Sequence, residues 1–274
     1  QMLAEPRRAL QLFEKAPLEM HLRVPRTQLS SLPPFLRPEW FEGEVQFSGD
    51  LHGSLEMPIV TLEAGGFGIV SRERGDVPLM LGAYATYGLS ETEFQVRVTE
   101  PSGGDVMVSA TMEASLNDLV SPPAIPDRPD ATYLERVRHF LFEKTTADAR
   151  LRANAFRVAP FQPLVSHVFS QLDGRVDGSF RMHQRPTGEG VSRTLEGLAD
   201  IRSGLVQLPQ IGQQLHDATA HVVAEGSTIV VKDISASGIT GRLTGGLVVT
   251  HDNLAFRDLR GTIEIAERER LPLT

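Results

Sequence analysis

The feature that most constrains the fold is an alternation of apolar and polar residues with a period of two. Phe94, Val96 and Val98 fall on one side of an extended chain, while the residues between them are polar. Successive side chains of a strand point to opposite faces, so this spacing predicts a half-buried β-strand. Further rows of the same kind are Val106, Val108, Ala110 and Met112; Val176, Phe180 and Met182; and Ile263 with Ile265.

Clusters of glycine, proline and aspartate separate these rows. Residues 101–104, 65–68, 173–174 and 245–246 are predicted as turns. Strands separated by turn signals roughly every 8–12 residues are typical of an antiparallel meander rather than of alternating β and α units. The sequence therefore predicts a mainly β fold. The periodicity leaves open both a closed sandwich or barrel and an open sheet with one apolar face.

The chain also repeats itself at an offset of 129 residues. The motif Leu-Phe-Glu-Lys at residues 12–15 recurs at residues 141–144, and Leu22-Arg23 recurs as Leu151-Arg152. Collinear matches of this kind indicate a duplication. Two β-rich units are therefore predicted, over residues 1–126 and 127–274.

Each unit is expected to begin with a short helix. Apolar residues at helical spacing predict a helix over residues 131–144, with Asp130 as its N-cap. The counterpart in the first unit is shorter and covers residues 9–13. The prediction is one short helix per unit, followed by strands.

Composition and missing motifs exclude most chemical functions. A net charge of −8 argues against a nucleic-acid partner, and the absence of cysteine removes disulfides, thiolate ligands and thiol nucleophiles. No phosphate-binding loop, nucleophile elbow or zincin motif is found, so neither an enzyme activity nor a cofactor nor a metal is predicted. His216 and His221 are five apart in a predicted strand, which places them on opposite faces and separates them as metal ligands.

The segments outside the predicted strands carry no targeting signal. No stretch approaches 18 consecutive apolar residues, and the first residues lack the charged and apolar regions of a signal peptide. The sequence at both ends therefore predicts that this chain is a piece of a longer protein.

The order of motifs in the second half resembles the periplasmic region of the TamB translocation-and-assembly-module family. Residues 172–178 have the form Leu-x-Gly-x-Val-x-Gly, residues 195–209 predict a strand ending at Pro209, and residues 212–217 have the form Gly-x-x-Leu-x-Asp. A glycine-spaced strand pair follows around residues 238–247. The resemblance covers residues 147–266 and, through its first motif alone, residues 20–64.

The resemblance implies an open, taco-like β-groove of stacked repeats with an apolar interior, as in the related AsmA-like and repeating β-groove lipid transfer proteins. It implies conduction of phospholipid between the inner and outer membranes and support of outer-membrane protein assembly. The implied location is the periplasm, as part of a longer protein anchored in the inner membrane. The implied partners are phospholipid acyl chains and an outer-membrane barrel protein.

The groove that the resemblance implies would be lined by the apolar members of the alternating rows. They are Phe94, Val96, Val98, Val106, Val108, Val176, Phe180, Val222, Ile229, Val231, Leu247, Val249, Ile263 and Ile265. Exposed strands at the ends of such a groove predict self-association, and the charged run at residues 267–270 is interpreted as protection of the edge against it. The alternative function is a closed β-sandwich or solenoid that serves as a scaffold or adhesion module and binds no lipid.

Overall fold

The structure is a computed structural model of the 274-residue chain. It describes residues 16–32, 41–54, 57–71, 77–88, 90–115, 118–119, 121–126, 128–159, 171–188, 190–208, 213–238 and 241–267. These residues form one sheet of thirteen strands, one α-helix and a turn of 3-10 helix at Leu29–Ser31. The prediction of a mainly β fold is confirmed.

The strands lie side by side in the order of the sequence, and each pairs antiparallel with the next. They are β1 (Leu18–Gln28), β2 (Phe41–Gly53), β3 (Pro58–Ser71), β4 (Leu79–Gly88), β5 (Glu91–Thr99), β6 (Asp105–Glu113), β7 (Ala147–Arg157), β8 (Gln171–Thr187), β9 (Gly190–Leu208), β10 (Gln213–Gly226), β11 (Thr228–Ser237), β12 (Gly241–Asp252) and β13 (Ala255–Glu267). The helix, α1 (Tyr133–Glu143), lies between β6 and β7. This order is the predicted meander.

The sheet is not closed. Within the described residues, β1 pairs only with β2 and β13 pairs only with β12. All thirteen described strands belong to this one sheet, so no second sheet packs face to face on it in the described part of the chain. The closed sandwich that the periodicity left open is therefore not what these residues form.

Three of the predicted turns lie inside strands. Residues 65–68 belong to β3, residues 173–174 to β8 and residues 245–246 to β12, whereas residues 101–104 do form the turn between β5 and β6. In β8 and β12 the prediction was wrong because Gly174 and Gly245 permit close approach of the neighbouring strand. A Cβ on Gly245 would lie 2.4 Å from the carbonyl oxygen of Thr262 on the neighbouring strand.

The predicted helix of the second unit is confirmed, although its N-cap is Thr132 rather than Asp130. The hydroxyl of Thr132 accepts from the backbone N–H of Glu135, and the Glu135 carboxylate accepts from the backbone N–H of Thr132. This reciprocal pair is a capping box. The Thr132 N–H, followed by the Arg128 guanidinium, lowers the pKa of Glu135 to about 2. The counterpart at residues 9–13 lies outside the described residues.

Two backbone irregularities follow the spacing of the sequence repeat. The β1–β2 register shifts between Val24 and Thr27, and the β7–β8 register shifts between Ala153 and Phe156, which is an offset of 129 residues. The division into units at residues 126 and 127 stays a prediction. Because β6 pairs directly with β7, the sheet is continuous across that boundary.

Candidate functional site

One row of directly opposed residues crosses the sheet and is apolar at every strand. In order from β1 to β13 it consists of Val24, Phe47, Ala64, Ala83, Val96, Val108, Leu151, Phe180, Gly197, Ala224, Ile229, Val249 and Leu259. Directly opposed residues of an antiparallel pair share a face of the sheet. These residues therefore define one face, which we call the apolar face.

The adjacent row, displaced by one residue on each strand, is polar throughout. It consists of Arg23, Ser48, Glu63, Tyr84, Gln95, Ser109, Arg150, Arg181, Glu196, Glu225, Thr228, Thr250 and Asp258. Since successive residues of a strand point to opposite sides, this row lies on the other face, which we call the polar face. The sheet is thus amphipathic across all thirteen strands.

A second apolar row runs beside the first on the apolar face. It consists of Thr27, Val45, Gly66, Leu81, Val98, Val106, Ala153, Gly178, Ala199, Val222, Val231, Leu247 and Gly261, with Thr27 its only polar member. Ten of the fourteen predicted groove residues belong to these two rows. The remaining four, Phe94, Val176, Ile263 and Ile265, stand two or four residues further along the same strands. All fourteen share the apolar face, and their binding of lipid stays a prediction.

The predicted groove residues are only partly covered. Twelve of the fourteen are half-buried, and the two on β13 are exposed, Ile263 by 60% and Ile265 by 67%. Fifteen apolar residues are fully buried in the described chain, and eight of these are alanines. A sheet that packs on a second layer buries its large apolar side chains, so these two rows form an accessible apolar surface rather than a core.

The predicted groove residues include none from the strands before β5. Met20 and Leu22 on β1 and Leu62 on β3 share the apolar face and are 57%, 52% and 38% exposed. The signal was present, because residues 19–24 alternate polar and apolar without interruption. Leu151 on β7 was missed as well, although it lies in the first apolar row between Val108 and Phe180.

One end of the apolar face is occupied by α1. We call it the helix end; it also contains the β8–β9 and β12–β13 turns. The buried Gln184 side chain donates to the carbonyl oxygens of Leu141 and Thr145, both at 3.0 Å. Arg193 donates to the carbonyl oxygen of Phe142 and to Oε1 of Gln184. These bonds satisfy carbonyls at the C-terminus of α1 and fix the helix on β8 and β9.

At the opposite end, most strands carry bulges. This bulge end contains the β5–β6, β9–β10 and β11–β12 connections, and Ala155, Asp217 and Asp233 there have φ values of +44°, +51° and +55°. At the β7 bulge the Ala155 N–H donates to Asp177 (2.7 Å), and the Ala155 carbonyl accepts from Arg175. Bulges bend strands and increase their local twist.

A bulge in β10 places His216 and His221 on the same face of the sheet, contrary to the prediction. Leu215 is buried in a cluster with Val206 and Ala236, against which Ala218 also packs. Leu215 and Ala218 therefore share the apolar face although they are three residues apart. The bulge at Asp217 absorbs the extra residue, so the exposed His216 lies on the polar face together with His221. The prediction that these histidines lie on opposite faces was wrong because the sequence did not reveal the bulge.

The polar face carries histidines paired with aspartates. His221 lies 2.8 Å from Asp200, and His183 contacts Asp148. On β1, His21 contacts Asp50 and Glu19, and these two carboxylates raise the pKa of His21, the hydrogen bond that the ring donates to Asp50 being the larger cause.

The chain matches no protein-family model, no curated protein and no solved structure. Within the described residues, no helix combines the length and the apolar character needed to cross a membrane.

Proposed function

We propose that the apolar face binds the acyl chains of phospholipid and forms a segment of a hydrophobic groove along which lipid moves. The observation that carries the proposal is a pair of neighbouring rows, one apolar at every strand and the other apolar at every strand except β1, beside a row that is polar at every strand. Twelve inter-strand spacings of about 4.8 Å give this surface a length of about 58 Å along the sheet.

The energetics of acyl-chain binding fit a surface of this kind. Each methylene removed from water contributes about 0.8 kcal/mol, so a chain lying along many strands needs no polar anchor within the rows. Half-buried side chains such as Val96 and Val108 still have apolar surface to cover. A ligand without hydrogen-bonding groups would leave no polar atom unsatisfied on these rows.

The resemblance to the TamB family adds the biological context of the proposal. In that context the groove is part of a longer, inner-membrane-anchored protein in the periplasm. It conducts phospholipid between the two membranes and cooperates with an outer-membrane barrel protein in assembly. Support for this context comes from the order of motifs in residues 147–266 and from the open meander that these residues form.

The test is the phospholipid content of the purified chain, measured by native mass spectrometry and by solvent extraction. Phe180→Arg and Val231→Glu place a charge on the apolar rows, while Ser179→Arg and Val230→Glu place the same charge one residue away on the polar face. We expect the first pair to fold and to lose lipid, and the second pair to fold and to retain it. Equal lipid content in all four variants would contradict the proposal.

The exposed edge strands favour the alternative function as a scaffold. Ile263 and Ile265 on β13 present apolar side chains on a strand that pairs on one side within the described residues. Exposed edges promote pairing with another chain. If the chain associates through β13 and never carries lipid, the scaffold is the better account.

A further inference from the structure

Four side chains of metal-ligating type lie together on the polar face of β1 and β2. Glu19 and His21 are two residues apart on β1, and Asp50 and His52 are two residues apart on β2. The register places His21 directly opposite Asp50, and Glu19 directly opposite His52. Strand pairing therefore fixes a compact square of two imidazoles and two carboxylates.

The ligand atoms of this square are already close. One donor atom each from His21, Asp50 and His52 lies within 4.8 Å of the other two. Nε2 of His21 is 3.3 Å from Oε1 of Glu19, and the two imidazole rings are 5.6 Å apart between centroids. Two ligands of a tetrahedral zinc ion are separated by about 3.3 Å, given metal–ligand bonds of about 2.0 Å.

We infer that His21, His52 and Asp50 bind a divalent transition-metal ion of the zinc class, with Glu19 as a fourth ligand. Imidazole nitrogens combined with carboxylate oxygens suit Zn²⁺, whereas Ca²⁺ and Mg²⁺ take oxygen ligands. The site is independent of the apolar face, because it lies on the opposite side of the sheet.

The side chains have the freedom to close on an ion. The side chain of His21 is 61% exposed, that of Glu19 is 73% exposed and that of Asp50 is 43% exposed, so small rotations meet no packed neighbours. Among the described residues, no other histidine of the polar face belongs to a group of this kind. His221, for example, pairs with the carboxylate of Asp200.

The test is calorimetric titration of the metal-free full chain with ZnCl₂, supported by the visible absorption of Co²⁺ as a report of ligand geometry. We expect one Zn²⁺ per chain and no binding of Ca²⁺. His21→Ala and His52→Ala are expected to weaken binding by about tenfold or more, since even loss of an outer-shell partner weakens metal binding 10- to 100-fold. Circular dichroism checks that the variants remain folded.

His221→Ala is the matched control, because it removes a histidine from a histidine–aspartate pair on the same face. We expect this variant to bind Zn²⁺ as the unchanged chain does. The inference is overturned if the unchanged chain has no saturable site, if His221→Ala loses as much affinity as His21→Ala, or if His21→Ala and His52→Ala both bind normally.

Discussion

The central rows and the bulge end belong to the same apolar face but differ in how far they are covered. Along the rows, side chains such as Val96 and Val231 are half-buried. At the bulge end, Phe156 is 2% exposed, Leu215 is 8% exposed and Val206 is 9% exposed. Both regions consist of apolar residues on antiparallel strands, so residue type alone does not account for the difference.

This difference shows which part of the apolar face is stabilised by side-chain packing. Bulges increase strand twist, and beyond them the side chains of β9, β10 and β11 converge into a cluster formed by Val206, Leu215 and Ala236. Along the central rows, most of the large apolar side chains are only half-buried. The bulge end of the apolar face therefore contributes buried packing, while the middle of that face remains accessible.

The largest effect on stability is expected for Phe156→Ala. Removing a buried phenylalanine ring leaves a cavity and costs about 3–5 kcal/mol of unfolding free energy. Phe94→Ala in the middle of the apolar face is the matched change and is expected to cost about 1–1.5 kcal/mol, since its ring is only half-buried. Urea unfolding measures both. Equal losses would abolish the distinction between the two regions.

The next largest effect is expected for Gln184→Ala at the helix end. The change removes the donor to the carbonyls of Leu141 and Thr145 and the acceptor of Arg193, and it should cost about 1–3 kcal/mol. Gln95→Ala on the exposed polar row is the control and should stay within about 0.5 kcal/mol of the unchanged chain. Helix content by circular dichroism should fall only in the first variant. A stable Gln184→Ala chain with intact helix signal would refute this role.

The smallest effect on stability is expected for Ile263→Lys on the edge strand. Its side chain is 60% exposed, so unfolding free energy should change by about 0.5 kcal/mol at most. Self-association, measured by sedimentation velocity, should weaken more than in Thr262→Lys, which places the charge on the polar face of the same strand. Association that is insensitive to Ile263→Lys would mean that the edge of the apolar face plays no part in it.

The faces of the sheet could be predicted from the sequence. Period-two alternation assigned Phe94, Val96 and Val98 to one face, and the register places all the predicted groove residues with them. Helix spacing likewise predicted α1, because its apolar stripe is a local signal, although the capping residue proved to be Thr132 rather than Asp130. Features that depend on residues close together in the sequence, such as the faces of a strand and the position of the helix, could therefore be predicted.

The positions of the bulges and the degree of burial of the apolar face could not be predicted from the sequence. A bulge adds one residue and reverses the alternation, as at Asp217, where no glycine marks the position. Glycine pairs such as Gly245-Gly246 look like turns although they allow close strand approach inside β12. Whether a second layer covers an apolar row depends on distant parts of the chain. The square of two imidazoles and two carboxylates on β1 and β2 could not be predicted either, because it depends on the pairing of His21 with Asp50, 29 residues away.

The most direct test of the account uses two adjacent valines of β11. Val231 lies on the apolar face opposite Val222, and Val230 lies on the polar face opposite Val223, so the two positions share residue type and strand. A benzophenone amino acid is placed at each position in turn, and the chain is irradiated in the cell and analysed by mass spectrometry for phospholipid adducts. The account predicts adducts at position 231 and none at position 230. Adducts at both positions, or at neither, would contradict the claim that the apolar face of this sheet carries lipid.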